Sequence, residues 1–345
     1  MKLVHLITGL GCGGAEKMVY QLCKYADREG FDISVISINE TDYFLPKLES
    51  LHINVNMLKL QKTPFSIFKG ILKLNKLLRK NQIEVIHAHL FHGMVMACVA
   101  KVFNKKIKIV WSSHTSRMCS LLRSGITFLF KPLRSHDIIL QRQFNEWYIL
   151  KKNVVIPNGI EEPKLIKKLL KFPNFTFISV GSLEKHKNHL LLINLFADLN
   201  DVDANLIIVG TGSIFSSLQT KIFELGLAQK IKLLGHRDDI FELLCKSHCL
   251  LFPSIREGFG LVLLESAFAK IPIITLRNGS VENLLSEEEG YVVESDVFKD
   301  TMLHVIDNYD EALAKMNNFY KKTIREFTIQ TCIKSHESIY KVINN

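Results

Sequence analysis

The sequence predicts an α/β protein of two domains, each a parallel sheet with helices on both faces. Three observations carry this. Short apolar runs alternate with helical segments along the chain, the pattern of successive β–α units. The alternation pauses once, in a Lys- and Pro-bearing stretch at 160–173, and then restarts. The chain has 345 residues, 47% of them apolar, enough to bury two cores. Two units of similar size joined by one linker would face each other across a cleft.

Taken in order, residues 4–7 are a short apolar strand, followed by Gly9, Gly11, Gly13 and Gly14 and a helix over 15–28. The next strand, 33–38, ends near Glu40. Gly9-x-Gly11-x-x-Gly14 fits the dinucleotide fingerprint, so an NAD-dependent oxidoreductase is one reading. Any β–α turn that offers amides to phosphate needs the same bare backbone, and the spacing alone does not decide. Residues 64–79 read as an amphipathic helix. Phe65, Phe68, Ile71, Leu72 and Leu78 recur at helical spacing, with Lys69, Lys73, Lys76, Arg79 and Lys80 between them. Such a helix covers a sheet, and a basic one can also lie on a membrane.

Residues 84–89 are a strand in which His87 and His89 point to the same side. They are packed, substrate-facing or metal-binding side chains, and no carboxylate stands near to complete a metal set. Strand 107–113 follows, with His114 just past its end. Ligands gather at the carboxyl ends of strands in open α/β sheets, which makes His114 the better functional candidate. A helix is expected over 117–134, a strand over 137–140, and a short strand and turn at 154–159.

In the second half, strand 175–180 leads through a loop at 181–188 to a helix from His189. Strand 206–209 ends in Gly210-Thr211-Gly212, and strand 231–234 ends in Gly235-His236-Arg237. Strands 249–252 and 272–275 and a last helix over 329–343 complete the series.

The stretch 253–265, P-S-I-R-E-G-F-G-L-V-L-L-E, is the richest in chemistry. Gly258 and Gly260 keep the turn bare, so a ligand can approach the main chain. The first turn of the helix that follows offers unpaired N–H groups and partial positive charge, a seat for phosphate. The flanking carboxylates, Glu257 and Glu265, suit hydroxyl groups. Phosphate and several hydroxyls together describe a nucleotide-sugar.

Composition narrows the field. No run reaches the roughly 18 apolar residues of a membrane span, and the N-terminus reads as a first strand and not as a signal peptide. Seven irregularly spaced cysteines point to free thiols in a reducing cytoplasm. Cys245, His248 and Cys249 have the look of metal ligands, but Cys249 falls in an apolar strand. Residues 1–160 hold 23 Lys and Arg against 10 Asp and Glu, and the remainder 21 against 24, so the net charge of +10 lies in the first half. That excess suits a solvated face or an anionic membrane surface. Nothing resembles a nucleic-acid recognition motif.

The 253–265 stretch resembles the E-x7-E signature of glycosyltransferase family 4, retaining enzymes of the GT-B fold. The glycine loop with G-G-A-E, the H-A-H strand, His114, I-P-N-G, the V-G-S-L…K-N segment and the Gly279 loop follow in the family's order. The resemblance covers nearly the whole chain. It implies two Rossmann-like domains facing each other across a cleft, with 1–160 binding acceptor and 161–325 binding nucleotide-sugar. Residues 326–345 would be a helix packing back towards the first domain.

The resemblance further implies that Gly13 and Gly14 approach the donor diphosphate, that Lys187 pairs with it, and that the amides of Leu261 and Val262 hold phosphate. Glu265 would accept from the ribose. Glu257, with the Gly258, Phe259 and Gly260 main chain, would hold the donor sugar. His114 would face that sugar, and Arg237 would lie near the base. Ser182 stands where the family usually has arginine, and Lys185 or Arg256 would have to supply the missing charge. No D-x-D metal motif is read and no metal or other cofactor is expected. The implied reaction moves a hexose-type sugar, from a UDP-sugar, to a glycan or lipid-linked acceptor of bacterial surface polysaccharide. The location would be cytoplasmic, peripheral to the inner membrane face. A sugar-nucleotide epimerase or phosphorylase of the same fold, and a membrane-binding scaffold, stay open beside it.

Overall fold

The structure is a computed structural model that describes residues 1–345 except 62, 116–117, 119, 164–168, 200–201 and 345. All counts refer to the described residues. The chain divides into two compact units, Met1–Gly159 with Ile329–Asn345, and Ile160–Thr328.

The first unit runs β1 (Lys2–Ile7), α1 (Gly14–Tyr25), β2 (Asp32–Ser37), α2 (Leu45–Glu49), β3 (Asn54–Met57), α3 (Pro64–Lys80), β4 (Val85–His89), α4 (Leu90–Phe103), β5 (Lys108–Ser112), α5 (Leu121–Leu129), β6 (His136–Ile139) and β7 (Asn153–Val155). Its seven strands are parallel in the order β3-β2-β1-β4-β5-β6-β7. Strands buried on both faces read as continuous apolar runs, as β1 and β5 do. The expected helix over 117–134 is shorter at both ends. The Ser120 side chain accepts from the Arg123 amide and starts α5 there, and Pro132 sits in a separate 3-10 turn. Arg117 lies outside the described residues. Behind α5, Arg134 and Asp137 form a fully buried ion pair at 3.0 Å. Arg134 also donates to the Tyr148 carbonyl at 2.7 Å, and Asp137 accepts from the Leu150 amide at 2.8 Å, tying down the 141–150 loop.

The second unit runs β8 (Phe175–Val180), α6 (His189–Ala197), β9 (Ala204–Val209), α7 (Phe215–Glu224), β10 (Ile231–Leu233), α8 (Ile240–Lys246), β11 (Cys249–Phe252), α9 (Leu261–Ala269), β12 (Ile273–Leu276), β13 (Tyr291–Val293), α10 (Phe298–Asp307) and α11 (Tyr309–Glu326). Its parallel strands follow the order β10-β9-β8-β11-β12-β13. α9 is apolar nearly all round because it is covered, packing against α8 and α11.

The last helix, α12 (Ile329–Asn344), belongs to the first unit. Ile329, Cys332, Ile333, Tyr340 and Ile343 join Leu3, Ile7, Val19, Val85 and Val110 in one core. A polar stripe runs through that core. His5 pairs in register with His87, and His87, His89 and His336 are buried beside them.

Candidate active site

In the second unit the candidate residues collect at the carboxyl ends of β8, β11 and β12. β11 delivers the turn that carries Glu257, and β8 delivers a 3-10 turn over Lys185–Lys187. The Ile255 amide donates to the His186 carbonyl at 2.9 Å, joining the two turns. Lys187 Nζ forms an ion pair with Glu257 Oε2, each side chain 15% exposed. The ammonium also stands 5.7 Å from the Phe252 ring centre. The loop after β12 braces the other side. Asn278 donates to the Ser254 carbonyl at 2.9 Å, and the Ser280 hydroxyl donates to the Glu257 carbonyl.

Gly260 sits at φ +85, a backbone that side chains rarely adopt, and leads directly into α9. Among the described residues no side chain caps α9, so the Leu261 and Val262 amides lie in an uncapped first turn. Gly258 precedes that turn, its amide bonded to the Glu257 carboxylate at 3.2 Å. Phe259 is buried, its ring 6.0 Å from that of Phe327, so only its main chain can serve a ligand. Glu265 lies one turn into α9, half-buried. Across β8, the Gly210 turn closes tightly on the lysine loop. A Cβ at Gly210 would come within 1.9 Å of the Gly181 carbonyl oxygen. Ser182, in that loop, is exposed, as are Lys185 and Arg256. Arg237 forks onto Asp239 at 2.8 and 2.6 Å.

In the first unit, an open cavity of about 400 Å3 lies at the carboxyl ends of β1, β4 and β5. Gly9, Gly11, Glu16, Leu90, Ser113 and Arg123 are among its lining residues, whereas Gly13, Gly14 and His114 are not. Gly13 and Gly14 instead form the start of α1, where Glu16 folds back within 2.5 Å of the place a Gly13 Cβ would take. His114 and Leu90 both hold positive φ, +56 and +64, at the ends of adjacent strands. Strain of this kind concentrates at functional sites.

The two units match two family models. The model described as Glycosyltransferase Family 4 covers residues 12–162, and that of Glycosyl transferases group 1 covers 161–324. The chain belongs to the family 4, group 1 glycosyltransferases. A glycosyltransferase of this kind takes its sugar from a nucleotide-sugar. Among curated relatives, a Campylobacter jejuni N-acetylgalactosamine-N,N'-diacetylbacillosaminyl-diphospho-undecaprenol 4-alpha-N-acetylgalactosaminyltransferase is 28% identical over 86% of each chain. An Escherichia coli UDP-Gal:alpha-D-GlcNAc-diphosphoundecaprenol alpha-1,3-galactosyltransferase is 24% identical over 99% of this chain and 96% of its own. Among solved structures, Anabaena HepE in complex with UDP and glucose superposes with a TM-score of 0.86 at 19% identity, over 99% of this chain and 100% of that one. That likeness shows the GT-B fold.

Sequence reasoning missed several features of the site. Asn278 and Ser280, which brace the Glu257 turn, were signalled only by the Gly279 loop. The bonding of His89 to His114 needs the register of three strands. The letters D-x-D do occur, at 201–203. Its Asp203 stands just before β9 and accepts from Asn174 at 2.7 Å, and Asp201 is outside the described residues. His5, His87 and His89 bring three ligand atoms within 4.8 Å of one another. The His87 nitrogens are taken by Tyr340 at 2.6 Å and Ser112 at 2.8 Å, and those of His89 by His5 and His114. Cys249 is fully buried in β11, and His248 Nδ1 accepts from the Thr176 amide at 3.0 Å.

Proposed function

We propose that this glycosyltransferase moves a hexose-type sugar, with retention, from a UDP-sugar to a glycan or lipid-linked acceptor in bacterial surface polysaccharide synthesis. The observation that carries the reading is the Lys187–Glu257 pair beside the uncapped start of α9. Breaking the anomeric C–O bond leaves its electron pair, and so negative charge, on the diphosphate, and positive character on the sugar ring. Fixed donors answer the first charge: Lys187 and the Leu261 and Val262 amides, with the Gly13–Gly14 turn in support. Glu257 accepts from sugar hydroxyls, Glu265 accepts from the ribose, and His114 bonds the sugar. The acceptor oxygen bonds C1 on the face the diphosphate leaves, and its proton passes to the departing phosphate oxygen. An ammonium and amide dipoles take the place of a metal ion.

The Campylobacter and Escherichia relatives are named for acceptors on diphospho-undecaprenol, which favours a lipid-linked acceptor here. Among the described residues no helix is long and apolar enough to cross a membrane. Peripheral contact is the alternative, and two surfaces support it. α3 exposes Phe65, Phe68 and Leu72 among its lysines, and α5 exposes Leu121, Leu122 and Leu129 on one stripe. Neutralising Lys69, Lys73 and Lys76 should release the protein from anionic vesicles. Absence of vesicle binding by the unaltered protein at low salt ends the membrane proposal.

A thermal-shift screen of nucleotide-sugars tests the reaction class, because a bound donor raises the unfolding midpoint. UDP-sugars should raise it, and transfer should preserve the anomeric configuration. A rise with NAD alone, or turnover of donor to its epimer without acceptor, would replace the proposal.

A further inference from the structure

Three imidazoles from the first sheet form one hydrogen-bonded line. His114 Nε2 lies 2.8 Å from His89 Nδ1, and His89 Nε2 lies 3.0 Å from His5 Nδ1. The outer end is unusual. His114 Nδ1 is covered but has no hydrogen-bond partner among the described residues, and His114 is held at positive φ past the end of β5. Buried polar atoms without partners are rare, and this one stands at the carboxyl end of a parallel sheet, where ligands gather.

Proton counting then fixes what the line can do. A neutral imidazole has one N–H and one lone pair. Burial first, and neighbouring imidazoles second, hold these rings neutral: His5 and His114 are pushed down to about 3 and His89 lies well below its ordinary value. His89 bonds a neighbour through each nitrogen, so it donates one way and accepts the other. Two arrangements remain. In one, His114 Nδ1 carries hydrogen and His5 Nε2 is bare. In the other, the ends are exchanged. The hydrogen-bonding role of His114 Nδ1 is thus tied to that of His5, on the far side of His89.

We propose that His89, backed by His5, is a positioning residue that holds His114 in one tautomer and one orientation, so that Nδ1 meets a substrate hydroxyl as a fixed partner. The inference rests on the reading of His114 as a substrate contact. Neither His89 nor His5 touches substrate in this account.

The test is the nitrogen spectrum of the protein with 15N-labelled imidazoles at neutral pH, read beside transfer kinetics. In the unaltered protein His114 should show a single neutral tautomer. His89→Phe keeps a ring in the core but removes both bonds. It should give His114 averaged tautomers and lower kcat about tenfold, the scale of one hydrogen bond, with donor KM within about twofold. His89→Asn puts an amide near the place of Nδ1 and should recover most of the rate, although it packs less well. A packing role reverses this order, with Phe active and Asn impaired, and overturns the proposal. An unchanged His114 spectrum in His89→Phe also overturns it. If that variant does not fold, His89→Gln, which keeps the bond to His5 and gives up the one to His114, carries the same expectation. Full transfer by His114→Ala, with the spectra behaving as expected, removes the substrate contact and leaves the tautomer lock standing.

Discussion

Lowering the pH should unfold the first unit cooperatively at a mildly acidic value, and the size of the effect can be worked from the buried histidines. The side chains of His5, His87, His89 and His336 are at most 4% exposed. His114 bonds His89 at the end of the same line. Desolvation is the largest cause in each case: His5 and His114 are pushed down to about 3, His336 to about 4, and His87 and His89 well below 6.5. The neighbouring groups are Tyr340, Cys332 and Cys23, whose own values burial raises, and Glu337, which lines the same small cavity.

Below pH 6.5 the unfolded chain binds protons that the native imidazoles refuse. Stability therefore rises with pH up to about 6.5 and is lost as pH falls below it. Each imidazole loses about 1.4 kcal/mol per pH unit. Asp137, raised by burial to about 6, acts in the opposite sense below that pH. Five groups against one leave a net loss of about 5 kcal/mol per pH unit. A domain stability of about 5–15 kcal/mol would be exhausted within roughly one to three pH units of 6.5. Both tryptophans, Trp111 and Trp147, lie in the first unit, and Trp111 is fully buried, so tryptophan emission reports that unit. The emission should change in one acid transition, and His336→Leu, with one fewer proton acceptor in the unfolded chain, should move its midpoint to lower pH. Native emission persisting to pH 3, or an upward move in His336→Leu, would refute the reasoning.

Three further outcomes concern the site. Glu257→Gln should cut transfer at least about tenfold, because a charged hydrogen bond contributes roughly 1.5–3 kcal/mol. The same variant should bind free UDP at least as tightly as before, since the carboxylate paired with Lys187 is gone, and a wild-type rate would count against the assignment. Glu265→Ala should weaken free-nucleotide binding about tenfold with little effect on kcat once donor is saturating, and calorimetry showing unchanged affinity would remove Glu265 from the ribose. Treatment with EDTA should leave transfer intact, and loss of activity restored by manganese would overturn the metal-free mechanism.

Much of this was legible in the chain because the strands are covered on both faces and read as apolar runs. E-G-F-G-x-x-x-x-E marks the start of α9 because a bare turn before a helix leaves a local signature. What escaped was set by long-range pairing or by position at an edge. β3, N-V-N-M, lies at one edge of its sheet and is largely half-exposed, so it lacks the apolar run. α4 is apolar on most of its surface and shows no polar stripe to give its period away. The histidine line joins residues 84 and 25 positions apart through the register of β1, β4 and β5. The spacing of His87 and His89 along one strand carries no trace of either partner. Ser182 was visible as a departure from the family pattern, and in the structure it is an exposed residue of the loop beside Lys187.

The proposed reaction depends most on Lys187, beside Glu257 and the start of α9, receiving the donor diphosphate. Titration calorimetry of UDP into the unaltered protein and into Lys187→Ala tests it most directly. UDP should bind the first, and its affinity for the second should be lower by about 10- to 100-fold. Equal affinity in the two proteins, or no binding by either, would contradict it.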